Sequence, residues 1–311
     1  MSPKISAAIC YDITYRLISI SLNVIIISRC FSCLLNRCYS QQPFSDSHYI
    51  FEPKIDGHRL LFSQQSGQIR LYTRHETECT QQYPELLVPF DDDILLDGEV
   101  ACAGPDGVDF EEVMVRFKAS KDQCIKQLTI SSPVTFVVFD ILQYKGQDLR
   151  KMPLLQRKEI LAGIKMPNQQ FGVIPFVEGA GEALFEQMVN RKLEGMVGKR
   201  KNSLYVSSRS PAWQKVINWS YTNVIITGYR KNEFGLLAAV QNESGGLRSA
   251  GIVEYVTKAT RKEFYSKSQF LVTGEDKKFV YLNPMIQGRV KYRNWFKSGM
   301  LRTPVLTELN Y

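Results

Sequence analysis

FEPKIDGHRLLFS, residues 51–63, reads as a half-buried strand with a lysine set inside it. Apolar and aromatic residues lie on both sides of Lys54, and Asp56 with Gly57 forms a turn signal directly behind it. A lysine at the end of a strand is by default a solvated edge residue. Its neighbours alter that reading. Arg59 returns one strand step beyond His58, so Lys54, Asp56 and Arg59 are expected to line one pocket mouth. Three charged groups converging beside an apolar strand need a charged ligand, and phosphate is the candidate.

Working outward, HYIFEPKIDGHRLLFSQQ, GQIRLYTR, DILLDGEVAC and VTFVVFDIL show β-branched or aromatic runs that end in turn residues, the pattern of consecutive strands. Helical periodicity appears in LLQRKEILAGI after Pro153 and in GEALFEQMVNRKL before Glu194. This predicts an α+β domain rich in antiparallel sheet over residues 41–220. Beyond Trp219 the runs NVIITGYRK, GLLAAVQN, RSAGIVEYV, KKFVYLNP and GRVKYRNW predict short strands, which suggests a small all-β barrel such as an OB-fold over residues 221–311.

The 311 residues, 44% hydrophobic and 23% charged, are those of a globular protein with one large and one small domain. Lysine and arginine number 39 against 31 acids, a formal charge of +8 that leans toward a polyanionic partner. Residues 1–40 differ from the rest. Their apolar run LISISLNVIIIS, residues 17–28, is shorter than the roughly 20 residues a bilayer needs. Cys10, Cys30, Cys33 and Cys38 crowd this segment, and CFSC has the spacing of half a metal knuckle. His48, His58 and His75 offer no matching second half, so an extension outside the catalytic fold is expected. Cys79, Cys102 and Cys124 show no framework spacing, which fits a reducing cytoplasm.

A second charged site occurs in LLDGEV, where Asp97 and Glu99 are read as ending an apolar strand on one face. Glu194, in KLEGMVGKR, is a third acid. Carboxylates on separate elements suit Mg²⁺, which takes few protein ligands and relies on substrate oxygens. Lys199 follows Glu194, and Lys215 lies in WQKVINW; with Lys54 they would neutralise a polyphosphate.

KIDGHR matches the K-x-D-G-x-R signature of covalent nucleotidyltransferases, and LLDGEV, VVFDIL, EGMVGK and WQKV follow in the order of the later motifs. From about Gln41 onward the chain resembles the short bacterial or phage ATP-dependent DNA ligases, with an ATP-grasp-like nucleotidyltransferase domain followed by an OB-fold. The resemblance implies that Lys54 is the nucleophile that takes AMP from ATP, and that nicked duplex DNA is the partner of a monomer without membrane association. Only a neutral amine is nucleophilic, so a lysine of reference pKa about 10.4 must be depressed, by Lys215 and a bound metal. By the same resemblance Glu52 reads the adenine amino group, Asp56 contacts ribose or orients the lysine, and Arg59 and Arg74 hold phosphate or ribose. Phe139 stacks on adenine, Glu99 and Glu194 hold Mg²⁺ or Mn²⁺, and Lys199 and Lys215 stabilise the α-phosphate. For Phe139 taken alone, a core position is the expectation. Arg230, Lys231, Lys291, Arg293 and Arg302 are expected on DNA.

Two positions depart from the pattern. Ile217 stands where many ligases have a second lysine, and no R-x-D-K closes the chain. The residues also leave room for an RNA ligase, an mRNA-capping guanylyltransferase or a silent nick-binding relative.

Overall fold

The strand that leads to Lys54 stops one residue short of it. In the computed structural model, which describes residues 42–104, 107–206 and 210–311, β1 (Asp46–Pro53) ends at the proline and β2 (His58–Gln65) begins beyond the turn. Lys54 is therefore a turn residue and not a strand interior. The turn needs its glycine, because a Cβ on Gly57 would lie 2.2 Å from the carbonyl oxygen of Val100. The N-terminal extension expected over residues 1–40, with its four cysteines, lies outside the described residues.

The chain divides into two units, the first ending at Ile217 and the second spanning Asn218–Tyr311. The first continues with β3 (Gln68–Thr73), β4 (Ile94–Gly104), β5 (Gly107–Val108), helices α1 (Phe110–Lys118) and α2 (Asp122–Ser131), β6 (Val134–Tyr144) and β7 (Gln147–Asp148). Then come α3 (Leu154–Ala162), β8 (Phe171–Val173), β9 (Val177–Gly179), α4 (Gly181–Asn190), β10 (Gly195–Arg200) and β11 (Trp213–Ile217). Seven strands form one sheet in the order β3-β2-β4-β6-β7, with β5 on β4 and β8 on β6, and four form another in the order β11-β10-β1-β9. All pairings are antiparallel except β6 with β8.

Period-two alternation assigns each sheet an apolar face and a second face of different character. On the larger sheet Leu60, Phe62, Leu96, Val100, Phe136 and Val138 join one core with Tyr83 and Phe171. Gly98 of β4 belongs to this face, where the Phe136 ring leaves no room for a Cβ. On the smaller sheet Tyr49, Phe51, Met196 and Val216 pack with Leu184 and Met188 of α4. The opposite faces carry the charges Glu52, Arg59, Glu99, Lys199 and Lys215, and on the larger sheet also a small apolar cluster of Leu61, Leu95 and Leu142.

Asp97 and Glu99 lie in the middle of β4, which runs on to Gly104, so the sequence reading of a strand end is corrected. The alternation is what keeps both on the polar face.

Helices α1 and α2 have no counterpart among the helices expected from periodicity. Asp109 caps α1, accepting a hydrogen bond from Glu112 N at 3.1 Å, and this D-x-x-E pattern was legible in the sequence.

The second unit holds β12 (Ser220–Arg230), β13 (Leu236–Gln241), β14 (Leu247–Val253), α5 (Lys258–Ser268), β15 (Val272–Glu275), β16 (Phe279–Tyr292) and β17 (Val305–Asn310). The helix α5, capped by the Thr257 side chain, corrects the expectation of an all-β unit. Its sheet runs β14-β13-β12-β16-β15, with β17 on β16. KKFVYLNP and GRVKYRNW, expected as separate strands, are one long strand whose register slips between Ile226↔Ile286 and Gly228↔Tyr281. Pro284, which cannot donate to a ladder, sits in that slip. Val224, Ile226, Leu236, Phe264, Ile286 and Val290 form its core. Among the described residues no helix is long and apolar enough to cross a membrane.

Candidate active site

Where the polar faces of the two sheets of the first unit approach, they enclose an open cleft of about 500 Å³. The larger sheet contributes Arg59, Glu99 and Phe139, and the smaller contributes Glu52, Val197, Lys199, Trp213 and Lys215, with Lys54 and Ile55 at the turn. Each position follows from alternation. Phe136 and Val138 point into the core, so Phe139 points into the cleft, and the expectation of a core position for it is corrected.

Lys54 is tied to this place by backbone and side chain. Its N–H donates to Gly195 O at 2.9 Å, with Gly195 at φ 136°, a conformation that side-chain-bearing residues avoid. Its Nζ donates to Glu194 Oε2 at 2.5 Å. The glycine after Glu194 thus sets the separation of the two charged groups.

Arg59 faces Glu99 across the β2–β4 ladder but binds its diagonal neighbour. Its Nε and Nη2 donate to Asp97 Oδ1 and Oδ2 at 2.9 and 2.5 Å, and the Tyr205 hydroxyl donates to Oδ2 at 2.7 Å. Both carboxylate oxygens of Asp97 are thereby occupied, and the guanidinium is held 5.1 Å from the Phe139 ring centroid. Burial raises the Glu99 carboxyl above its usual range, although Lys54, Arg59 and Lys215 oppose that shift.

Glu52 is 2% exposed and ion-paired with Lys158 and with Lys199, the latter at 2.6 Å. Lys199 lies 4.4 Å from the centroid of Phe139 and 4.1 Å from that of Trp213. Lys158 and Trp213 are among the residues that sequence reading missed, as are Tyr205 and Val197. Trp213 sits two positions before Lys215 on one strand face, a spacing that could have found it; Lys158, on a helix remote in sequence, gave no signal.

Burial pushes Lys199 and Lys215 down to about 8, with Lys54 and Arg59 adding repulsion at Lys215. Between about pH 8 and the reference value of about 10.4 the unfolded chain binds more protons at these positions, so stability rises with pH across that window. Lys215→Met should flatten this rise, measured as the urea midpoint at about pH 8 and about pH 10. An unchanged slope would show that Lys215 is solvated.

Asp56 and Arg74 are not part of the cleft wall. Arg74 is exposed and its Nε donates to His75 Nε2 at 2.9 Å, although its charge reaches Lys215. Ile217 is buried at 6% exposure, an apolar position at the end of β11. Among the described residues no group of three or more His, Cys, Asp or Glu side chains gathers as a metal centre.

The five basic residues expected on DNA do not share one patch. Arg230 pairs with Glu254 at 2.6 Å and Lys231 with Glu275 at 3.1 Å, at one end of β12. Lys291 and Arg293 flank Trp219 at 5.0 and 5.8 Å, and the backbone of Arg293 donates to Arg302 O, at the other end. A strand of this length separates the two groups by roughly 30 Å.

The family model for the ATP dependent DNA ligase domain matches residues 36–216, more than half of the chain. The chain belongs to the ATP-dependent DNA ligases. This ligase is 38% identical over 267 residues to the SPbeta prophage-derived DNA ligase-like protein LigB of Bacillus subtilis, covering 85% of this chain and 93% of that one. It is 24% identical over 258 residues to DNA ligase C2 of Mycolicibacterium smegmatis, covering 79% and 72%. Among solved structures, mycobacterial DNA ligase D complexed with ATP and MES shares 26% identity with the ligase at a TM-score of 0.52, covering 90% of this chain and 96% of that one.

Proposed function

We propose that this chain seals nicks in duplex DNA through a lysyl-AMP intermediate on Lys54 followed by a DNA-adenylate. The observation that carries the reading is the Lys54 amine at the mouth of a cleft walled by Phe139 and by the cations Lys199 and Lys215. In the first step the Lys54 nitrogen attacks the α-phosphorus of ATP, a phosphoramidate bond forms and pyrophosphate leaves. Glu194, 2.5 Å from the amine, is an acceptor within reach of its proton. In the second, an oxygen of the nick 5′-phosphate displaces Lys54 from AMP; in the third, the 3′-hydroxyl attacks that phosphate and AMP leaves.

Phe139 supplies a flat ring for adenine, with Val197 on the opposite wall. The carboxylate of Glu52 is an acceptor suited to the adenine amino group, which leans the site toward ATP over GTP. Lys199 and Lys215 carry positive charge below about pH 8, where they would stabilise the α-phosphate. Arg59, fixed by Asp97, presents donors to ribose or phosphate, while Asp56 and Arg74 would act from outside the cleft wall.

Glu99 and Glu194 are hard oxygen donors, Glu99 in the cleft wall and Glu194 against the Lys54 amine. They fit Mg²⁺ or Mn²⁺, which takes its remaining ligands from phosphate and water and, when bound, neutralises phosphate charge. Glu194→Ala should lower sealing by about 10²-fold or more while leaving affinity for nicked DNA within about twofold. Equal losses in a gel-shift and a sealing assay would remove Glu194 from the chemistry.

For the second unit we propose an OB-fold that grips duplex backbone through the end that carries Trp219, Lys291, Arg293 and Arg302, in a cytoplasmic monomer. The whole reading is tested by incubating the protein with Mg²⁺ and α-labelled ATP or GTP, then chasing with nicked duplex. ATP label that stays on the denatured protein and is discharged by the nick supports it. GTP label would make the chain a guanylyltransferase.

A further inference from the structure

Behind the proposed seat of the nucleotide, one carboxylate serves two buried ammoniums. Glu52 takes Lys199 on Oε2 at 2.6 Å and Lys158 on Oε1, and neither lysine side chain is more than 3% exposed. A single negative charge balances only one of them. The pair therefore carries a surplus cation in a place where water does not compensate it.

The two lysines reach Glu52 from different sides. Lys199 stands on β10 in the cleft wall, over the rings of Phe139 and Trp213. Lys158 comes from α3, is not part of the wall, and lies 5.7 Å from the centroid of Phe176. Its helix is anchored by the preceding residue, since Arg157 donates through Nε and Nη2 to Asp140 at 2.8 Å each, with both side chains fully buried. A base that stacks on Phe139 must move the Lys199 ammonium off that ring. It has no means of moving Lys158.

We propose that Lys158 is a positioning residue: it is the fixed counter-ion of Glu52, and by holding that carboxylate it frees Lys199 to pair with a phosphate of the incoming nucleotide. This rests on the nucleotide-binding reading above. With Lys158 in place, Glu52 keeps a paired ammonium after Lys199 departs. Without it, departure of Lys199 strands a buried carboxylate, and the lysine stays where it is.

The test compares equilibrium binding of AMP and of adenosine to the full chain freed of nucleotide, for wild type, Lys158→Met, Lys158→Arg, Glu52→Gln and Glu52→Gln/Lys158→Met. Methionine keeps the stem volume without the charge. The wild-type preference for AMP over adenosine should fall about tenfold in Lys158→Met, return in Lys158→Arg, and be insensitive to Lys158→Met when Glu52 is already glutamine. Equal loss of both ligands in Lys158→Met would make Lys158 a support of the fold only and overturn the proposal. So would an unchanged ratio, or a wild type that does not prefer AMP. Labelling by ATP is scored separately on the same samples. A ratio that behaves as described without covalent label would sink the ligation chemistry and leave the role of Lys158 standing, whereas label with an unmoved ratio would do the reverse.

Discussion

Lys54→Ala leaves no covalent AMP on the protein. The residue sits in a turn whose backbone is fixed by the hydrogen bond to Gly195 O, so removal of the side chain beyond Cβ leaves the frame in place. On the proposed chemistry, loss of this amine removes the bond-forming atom itself, and the expected result is label below detection, at least about 10⁴-fold down. The same variant should seal a nick that carries a pre-formed DNA-adenylate, because the last step no longer needs the amine. Residual acid-labile label on the variant would transfer the nucleophile's role to a neighbour, and Lys215 is the first to examine.

Asp140→Ala should unfold the first unit more readily than any change at the surface. Its carboxylate and the Arg157 guanidinium are both fully buried, and Arg157 also donates to Met152 O at 2.5 Å and Ser203 O at 3.2 Å. Removing one partner leaves a charge in a dry site, which costs about 3–5 kcal/mol, or on the order of 10 °C in a unit of this size. Denaturant melting gives the number. A loss under about 1 kcal/mol would mean that water reaches Arg157 once the carboxylate is gone.

The site was legible where chemistry sits in consecutive residues. KIDGHR, LLDGEV, VVFDIL, EGMVGK and WQKV each mark a strand or turn at the cleft, because a short strand segment must present its charged residue and its core residues in alternation. Asp97 and Glu99 showed the limit of that reasoning: alternation gave their common face, but nothing in LLDGEV told that β4 continues through another five residues to Gly104. Phe139 had the opposite history, since a phenylalanine taken singly belongs in a core and only the inward neighbours Phe136 and Val138 settle its direction. What was not legible depends on long-range pairing. The Lys158–Glu52 and Arg59–Asp97 pairs join residues far apart in sequence, and the sequence reading treated Arg59 as a ligand-binding group without seeing the carboxylate that fixes it. The helix α1 escaped for a different reason, since its D-x-x-E cap is a local signal that the strand-rich pattern overshadowed.

Helix α3 touches both walls of the cleft through two successive residues. Arg157 fastens it to β6 of the larger sheet, and Lys158 to β1 of the smaller. The helix acts as a rivet between the sheets, so the gap proposed to receive the nucleotide has its width set in the folded unit before any ligand arrives. Little ordering of these walls is left for binding to accomplish, and the entropy of association falls mainly on the nucleotide and on the Lys199 side chain. Amide hydrogens of β1 and β6 should accordingly exchange as slowly in the free protein as in the nucleotide-bound one.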